Sequence, residues 1–204
     1  MPRSETLPGT LTTDERVYSP TAKFFHWTVA ILVLITAPIG YIMVDREDVK
    51  IADETAKAAF EATTNAMFSW HKLIGVTILL LMIGRWAYRL MHGAPRSEPS
   101  LPGWQKGLSH AVHWSMYLLL LAVPIGGYLG IAYGGYLDVF GIHLPSFGIP
   151  KDEKFAESIF KLHGTAATIV LGFIAVHLAG SAYHALVKGD GVVARMWPTS
   201  SHKD

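Results

Sequence analysis

His26, His71, His163 and His177 stand in stretches of sequence too apolar to hold an ionisable ring cheaply. Ionisable side chains inside a bilayer are costly and rare, so four of them call for a functional reading. Imidazole is a metal ligand. Two imidazoles facing each other at one depth are what a haem iron needs when it takes one axial ligand from each side, whereas zinc wants four protein ligands or three and an open water position. The spacing of the four histidines predicts two such centres, stacked across a membrane.

The elements that must position them are four apolar runs, at 23–44, 70–91, 107–132 and 160–187. Each has roughly the 20 residues that cross a hydrocarbon core of about 30 Å. The chain of 204 residues is 50% hydrophobic and only 16% charged, with a mean hydropathy of +0.30, well below the roughly 25% charge of a soluble domain. The expected fold is therefore all-α, a four-helix transmembrane bundle over residues 21–190, with a polar N-terminal extension (1–20) and a tail (191–204). The first twenty residues lack the apolar core of a cleavable signal peptide, so the first helix is expected to stay in the protein. Ser19 followed by Pro20 reads as a helix start, and Pro38 and Pro124 fall late in their helices, where a bundle tolerates a kink.

Orientation follows from the segment between the second and third helices. It carries Arg85, Arg89, Arg96 and Lys106 against a single acid, Glu98, and the positive-inside rule makes it cytoplasmic. Both termini then face the cytoplasm. Segments 45–69 and 133–159 hold most of the acids and would face the periplasm of a bacterium whose inner membrane holds the chain. The net charge of +1 gives no electrostatic footprint for nucleic acid, and none is expected as a partner.

Helix direction now assigns depth. His26 lies near the start of an outward helix and His71 at the outer end of an inward one. His163 is near the outer start of the fourth helix. His177 follows it by 14 residues, about 21 Å deeper and close to four whole turns, so on the same face. His26 is thus expected to meet His177 toward the cytoplasm and His71 to meet His163 toward the periplasm. With no cysteine in the chain, thioether attachment, thiolate ligation and disulfides are excluded. Haem here would be b-type, held without covalent bonds to the protein. With both axial positions filled, oxygen would not bind the iron, and the work left is electron transfer. Gly40, Gly84, Gly126 and Gly127 fall at the two depths and would leave room for a macrocycle, though glycine also serves close helix packing in membranes.

Plainer readings compete. His26 and His71 taken singly are also what a capped or snorkelling interfacial histidine looks like. His110 and His113 share a face of the third helix, and a faint repeat makes His113 the rival for the inner centre: His26-Trp27 precedes Pro38-Ile39-Gly40 as His113-Trp114 precedes Pro124-Ile125-Gly126. Otherwise His113 belongs near a haem edge. His184 falls seven residues after His177, near the inner centre or a quinone, and His92, His143 and His202 read as solvated loop positions. Arg85 and Arg89 are either cytoplasmic anchors or guanidinium clamps for haem propionates. Lys161, two residues before His163, either serves an outer propionate in the same way or joins Lys72, Lys151 and Lys154 in a cationic patch near the outer centre that would draw in an anionic reactant. A proton or metal transporter without haem would use the same histidines differently.

In order along the chain stand Tyr18-Ser19, Phe25-His26-Trp27, His71-Lys72, Arg85 with Arg89, Leu108-Ser109-His110 with His113, Phe140-Gly141, Leu144-Pro145, Leu162-His163, His177, and Gly189-Asp190-Gly191 to Arg195-Met196-Trp197-Pro198. From about Tyr18 to Pro198 the chain resembles the bacterial cytochrome b561 family of four-helix, di-haem b membrane cytochromes. That resemblance implies axial ligands at His26, His71, His163 and His177, and ubiquinone as electron acceptor. It also implies either a superoxide oxidase that takes electrons from periplasmic superoxide or a cytochrome b subunit serving a partner dehydrogenase or soluble cytochrome. The family's adjacent histidine pair near the end of the fourth helix is Tyr183-His184 here, and segments 1–20 and 45–69 look longer than in compact members.

Overall fold

The computed structural model describes residues 17–46, 49–99 and 101–199. Four long helices carry the fold: α1 (Pro20–Asp45), α2 (Glu54–His92), α3 (Gly103–Gly134) and α4 (Glu153–Ala182). All four are long and apolar enough to cross a membrane. A π-helical turn, Tyr183–Lys188, extends α4, and a short 3₁₀ turn, Ala194–Met196, follows it. His202 and residues 1–16 lie outside the described residues.

The helix starts are written in local chemistry. Ser19 caps α1 by accepting from the Ala22 N–H at 3.2 Å, with Pro20 in the first turn, where its missing N–H costs nothing. Asp53 accepts from Ala56 N at 2.7 Å and Asp152 from Phe155 N at 3.0 Å, each satisfying an orphan donor of a first turn. Both α1 and α3 run through their internal prolines, Pro38 and Pro124.

Segment 45–69, expected as a long loop, is instead helical from Glu54 onward. Its Glu-Thr-Ala-Lys-Ala-Ala start is made of good helix formers behind an Asp cap. Hydropathy marks only the part of a helix that lies in lipid, so the polar continuation was invisible to it. The 39 residues of α2 make a rod of about 58 Å at 1.5 Å per residue, roughly twice what a bilayer core needs. Arg46 fastens its polar half to the end of α1, with Nε donating to Thr64 Oγ1 at 2.9 Å and the guanidinium 3.8 Å over the Phe60 ring.

The bundle is two hairpins. α1 packs along α2 and α3 along α4, while α1 and α4 scarcely touch. Between the two histidine levels sits a core of Val29, Val33, Ile78 and Met82, against which Leu121 and Ile174 pack. Much of the remaining apolar surface, including Leu34, Leu80, Leu118 and Leu162, points outward. A soluble protein would not present that surface, but helices solvated by lipid do.

Between α3 and α4 a small antiparallel hairpin, β1 (Asp138–Val139) and β2 (Ile142–His143), turns through Phe140 and Gly141 at φ +50° and +80°. Two left-handed residues in succession match the twist of a two-residue hairpin. At the other end of the bundle the tail folds back: Trp27 Nε1 donates to Met196 O at 2.9 Å, and Tyr18 N to Arg195 O at 3.2 Å.

Candidate metal centres

His71 and His163 face each other with ring centres 6.0 Å apart, and His26 and His177 with ring centres 6.2 Å apart. A metal–imidazole bond is about 2.0 Å and the ring centre lies about 1 Å behind its nitrogen, so two imidazoles on opposite sides of one ion hold their centres about 6 Å apart. Both pairs fit that span, and each bridges the two hairpins. The 14-residue interval on α4 sets His163 and His177 on one face at two depths, as the helical period requires.

At the His71 level the rings are aimed by backbone carbonyls. His71 Nδ1 is 3.2 Å from Thr36 O and 3.3 Å from Thr36 Oγ1, and His163 Nδ1 is 2.9 Å from Val123 O. A carbonyl can only accept, so each Nδ1 carries the hydrogen and each Nε2 is left with the lone pair that a metal takes. Glycines admit the rings. A Cβ at Gly40 would stand 2.8 Å from His71 Cε1, and one at Gly127 would stand 3.0 Å from His163 Cε1. The room expected for a macrocycle at these two positions is thus taken by the imidazoles themselves. Gly84 meets the Phe25 ring instead, and a Cβ at Gly126 would meet nothing within 4 Å.

The His26 level is built differently. Arg85 Nη1 donates to His26 Nδ1 at 3.2 Å, and Arg85 Nε donates to Tyr117 OH at 3.2 Å. Arg89 stands beside it, lining a cavity of about 20 Å³ with Tyr18, Phe25, Arg85, Tyr88 and Tyr117. His113 also reaches this level. Its ring centre is 5.1 Å from that of His177, and its Nδ1 donates to Ser109 O at 2.6 Å. Those two ring centres are closer than the about 6 Å that imidazoles on opposite sides of one ion require. His110 is exposed, with no partner among the described residues.

The four lysines are placed differently. Lys72 Nζ donates to Tyr136 O at 3.0 Å and to Asp138 O at 2.6 Å, so it latches the β-hairpin onto α2 beside His71. The sequence could not reveal this, because the two carbonyls come from residues 64 and 66 positions away. Lys151 lies over Gly135. Lys154 and Lys161 are exposed and, seven residues apart, share a face of α4. Lys161 is two residues from His163, about 200° around the helix, and does not touch the histidine pair.

His92 stacks on Tyr88 with ring centres 4.1 Å apart, and His143 Nδ1 is 3.1 Å from Asp138 Oδ1. His184 is not solvated. Its Nδ1 donates to Asp190 Oδ2 at 2.6 Å, both side chains being about five-sixths buried (16% and 15% exposed). Burial pushes the Asp190 carboxyl up, but the bonds from His184 and from the Val192 N–H outweigh it and hold the group below the usual carboxylate range. Thr36, Val123 and Tyr117 carry this arrangement and went unremarked in the sequence, while Asp190 was noted only as part of the Gly189-Asp190-Gly191 motif. For Thr36 and Val123 the available signal was a glycine four residues on, whose missing side chain leaves room for a ring beside that carbonyl on one face.

A family model described as prokaryotic cytochrome b561 matches residues 17–199. The chain belongs to the prokaryotic cytochrome b561 family. Cytochrome b561 homolog 1 of Escherichia coli K12 is 26% identical over 182 residues, covering 89% of this chain and 97% of that protein. Cytochrome b561 homolog 2 of the same organism is 27% identical over 194 residues, covering 93% and 95%. A probable superoxide oxidase, CybB, of Yersinia pestis is 30% identical over 135 residues, covering 63% and 76%. As a b561 cytochrome the chain is a multi-pass bacterial membrane protein of electron transfer that carries b-type haem.

Proposed function

We propose that this b561 cytochrome holds two haems b, one between His71 and His163 and one between His26 and His177, and passes electrons from a periplasmic donor to ubiquinone. The observation that carries this is the pair of matched ring separations, 6.0 and 6.2 Å, each across the seam between the hairpins. Haem ligated by two imidazoles supplies one-electron relay with no open iron position. The chain's own part is to aim the four rings, to keep bulk water from the mid-membrane core, and to bring cations to the ends where anions sit. Arg85 and Arg89 are the cations offered to propionates at the cytoplasmic level, and moving Arg85 from His26 Nδ1 to a propionate lets Nδ1 take the hydrogen and leaves Nε2 the lone pair. The orientation, with both termini cytoplasmic, rests on the basic α2–α3 segment.

Superoxide is the donor that fits best, in keeping with the named activity of the Yersinia pestis relative. Two superoxide anions each surrender one electron and leave as oxygen, and ubiquinone takes the two electrons with two protons. Exposed Lys154 and Lys161 supply the attractive field. The second reading is an electron-carrying subunit docked to a dehydrogenase or soluble cytochrome, and the observation that favours it is the polar half of α2, a helix of 39 residues where about 20 suffice to cross a bilayer core. The deciding experiment supplies the purified chain with superoxide and a short-chain ubiquinone. Ubiquinol formed by the chain alone supports the oxidase. Absence of turnover, restored by a membrane extract from the native host, supports the subunit.

A further inference from the structure

Between α3 and α4 the sequence Phe-Gly-Ile occurs twice, at 140–142 and 147–149. Each copy makes a tight turn. Phe140 and Phe147 stand at φ +50° and +52°, each followed by a left-handed glycine, and among the described residues no other side-chain-bearing residue has a positive φ. The second turn is closed by Ile149 N donating to Ser146 O at 3.1 Å. Turns with two left-handed central residues favour Asn, Asp or Gly at the first of them, and a bulky side chain there is strained. Core packing does not offset the strain, since Phe140 is 50% exposed and Phe147 77%. Aromatic rings kept at strained positions outside the core point to a contact beyond the chain itself.

We propose that the two turns insert Phe140 and Phe147, together with Ile142, into the lipid leaflet at the His71 end of the bundle, so that segment 136–149 is a membrane-embedded collar. Depth favours lipid over a protein partner. Lys72 Nζ holds Tyr136 O and Asp138 O at 3.0 and 2.6 Å, and the Phe140 ring meets that of Trp70 edge-on with centres 5.1 Å apart. Trp70 and Lys72 flank His71, where the apolar run of α2 begins. The polar half of α2 continues for about 24 Å beyond them, back to Glu54. On the other hairpin, Tyr128 OH donates to Pro145 O at 2.6 Å, and its ring centre lies 6.0 Å from that of Phe147. Tyr128 follows Gly127, whose open side meets the His163 ring, so this turn too is fastened beside the His71–His163 level. The segment is thus folded back along the apolar ends of two spans, at the depth where hydrocarbon gives way to headgroups and aromatic rings concentrate. Ile142, 69% exposed, and Trp70, half exposed, continue the apolar patch. Asp138 and His143 face each other across the two strands and pair at 3.1 Å, which suits two polar side chains at a headgroup boundary.

The chain has no cysteine, so a single introduced one carries a spin label without background. Phe140→Cys, Ile142→Cys and Phe147→Cys are labelled in the purified full chain with its native haem content and reconstituted into phosphatidylethanolamine–phosphatidylglycerol vesicles. Collision of each nitroxide with oxygen, which concentrates in hydrocarbon, is compared with collision with a water-soluble nickel chelate, both measured against nitrogen. Leu118→Cys, on the outward face of α3, marks lipid, and Ala58→Cys, on the exposed polar half of α2, marks water. The ratio of oxygen to chelate accessibility should stand above one at 140, 142 and 147, lower than at 118, and below one at 58. A ratio below one at the three turn positions places the segment in water and overturns the proposal. Collision with neither reagent shows a protein surface covering the patch and overturns it as well. Should a label at 140 or 147 unseat its left-handed turn, Ile142, in β2, decides: a ratio below one there refutes the collar whatever the other two show.

Discussion

Replacing Gly40, Gly126 and Gly127 one at a time with alanine separates a site built to hold imidazoles from one where glycine merely thins a helix. At Gly40 the new Cβ would stand 2.8 Å from His71 Cε1, and an ordinary carbon contact is about 3.5 Å or more, so the ring must retreat by roughly 0.7 Å. Its bond to Thr36 O is already 3.2 Å and would pass the limit for a hydrogen bond. Overpacking of this kind costs about 1–3 kcal/mol, and the lost bond about 1 kcal/mol more. At Gly127 the contact is 3.0 Å and the Val123 bond starts from 2.9 Å, so a retreat of about 0.5 Å stretches it without breaking it and the cost falls to about 1–2 kcal/mol. At Gly126 nothing lies within 4 Å, and alanine should be neutral or gain up to about 1 kcal/mol of helix propensity. The expected order of haem retention at the His71 level is Gly126→Ala, then Gly127→Ala, then Gly40→Ala. The extremes should differ by about a hundredfold or more in haem affinity, since 1.4 kcal/mol is a factor of ten. Haem per chain after detergent washing, with apohaemoprotein titration, measures it. Full retention in Gly40→Ala, or equal losses at Gly126 and Gly127, would show that the close approach plays no part.

His177→Ala should remove one haem and His113→Ala none, read by haem per chain, and the opposite result would move the slot from α1 to α3. Lys72→Met, which leaves Tyr136 O and Asp138 O without their donor, should speed amide exchange across 136–144 by roughly tenfold, from the loss of about 1.4 kcal/mol of local stability. The rate with superoxide should hardly change. Lys154→Glu with Lys161→Glu should do the reverse, lowering that rate at low salt and flattening its salt dependence, with hairpin exchange unaltered. Because the Asp190 carboxyl lies below its unfolded value, its contribution to holding the tail is present above the ordinary carboxylate range and lost as pH falls through its lowered value. Asp190→Asn should therefore remove the acid dependence of proteolysis at the tail, as followed by mass spectrometry.

Much of the site was legible because membrane helices turn sequence number into depth. His163 and His177 share a face through a period of 3.6, and alternating helix direction paired each with its partner. What escaped was whatever depends on a neighbour. The glycines were legible as missing volume, but not the fact that His71 and His163 fill it. Lys72 read as a free cation because its acceptors belong to a hairpin that only the fold brings near. The polar half of α2 escaped because an apolar run ends at the membrane surface while the helix need not.

The two levels differ in kind. Around the lower one stand His26, Arg85, His113 and His177, and a pair of facing imidazoles needs only two of them. Arg85 donates to the His26 ring, and His113 turns its Nδ1 to the Ser109 carbonyl. Packing chooses which histidines face across a gap, and the leftover position is free to carry charge. The upper level has no spare places, because Thr36, Val123, Gly40 and Gly127 are all used in seating its two rings.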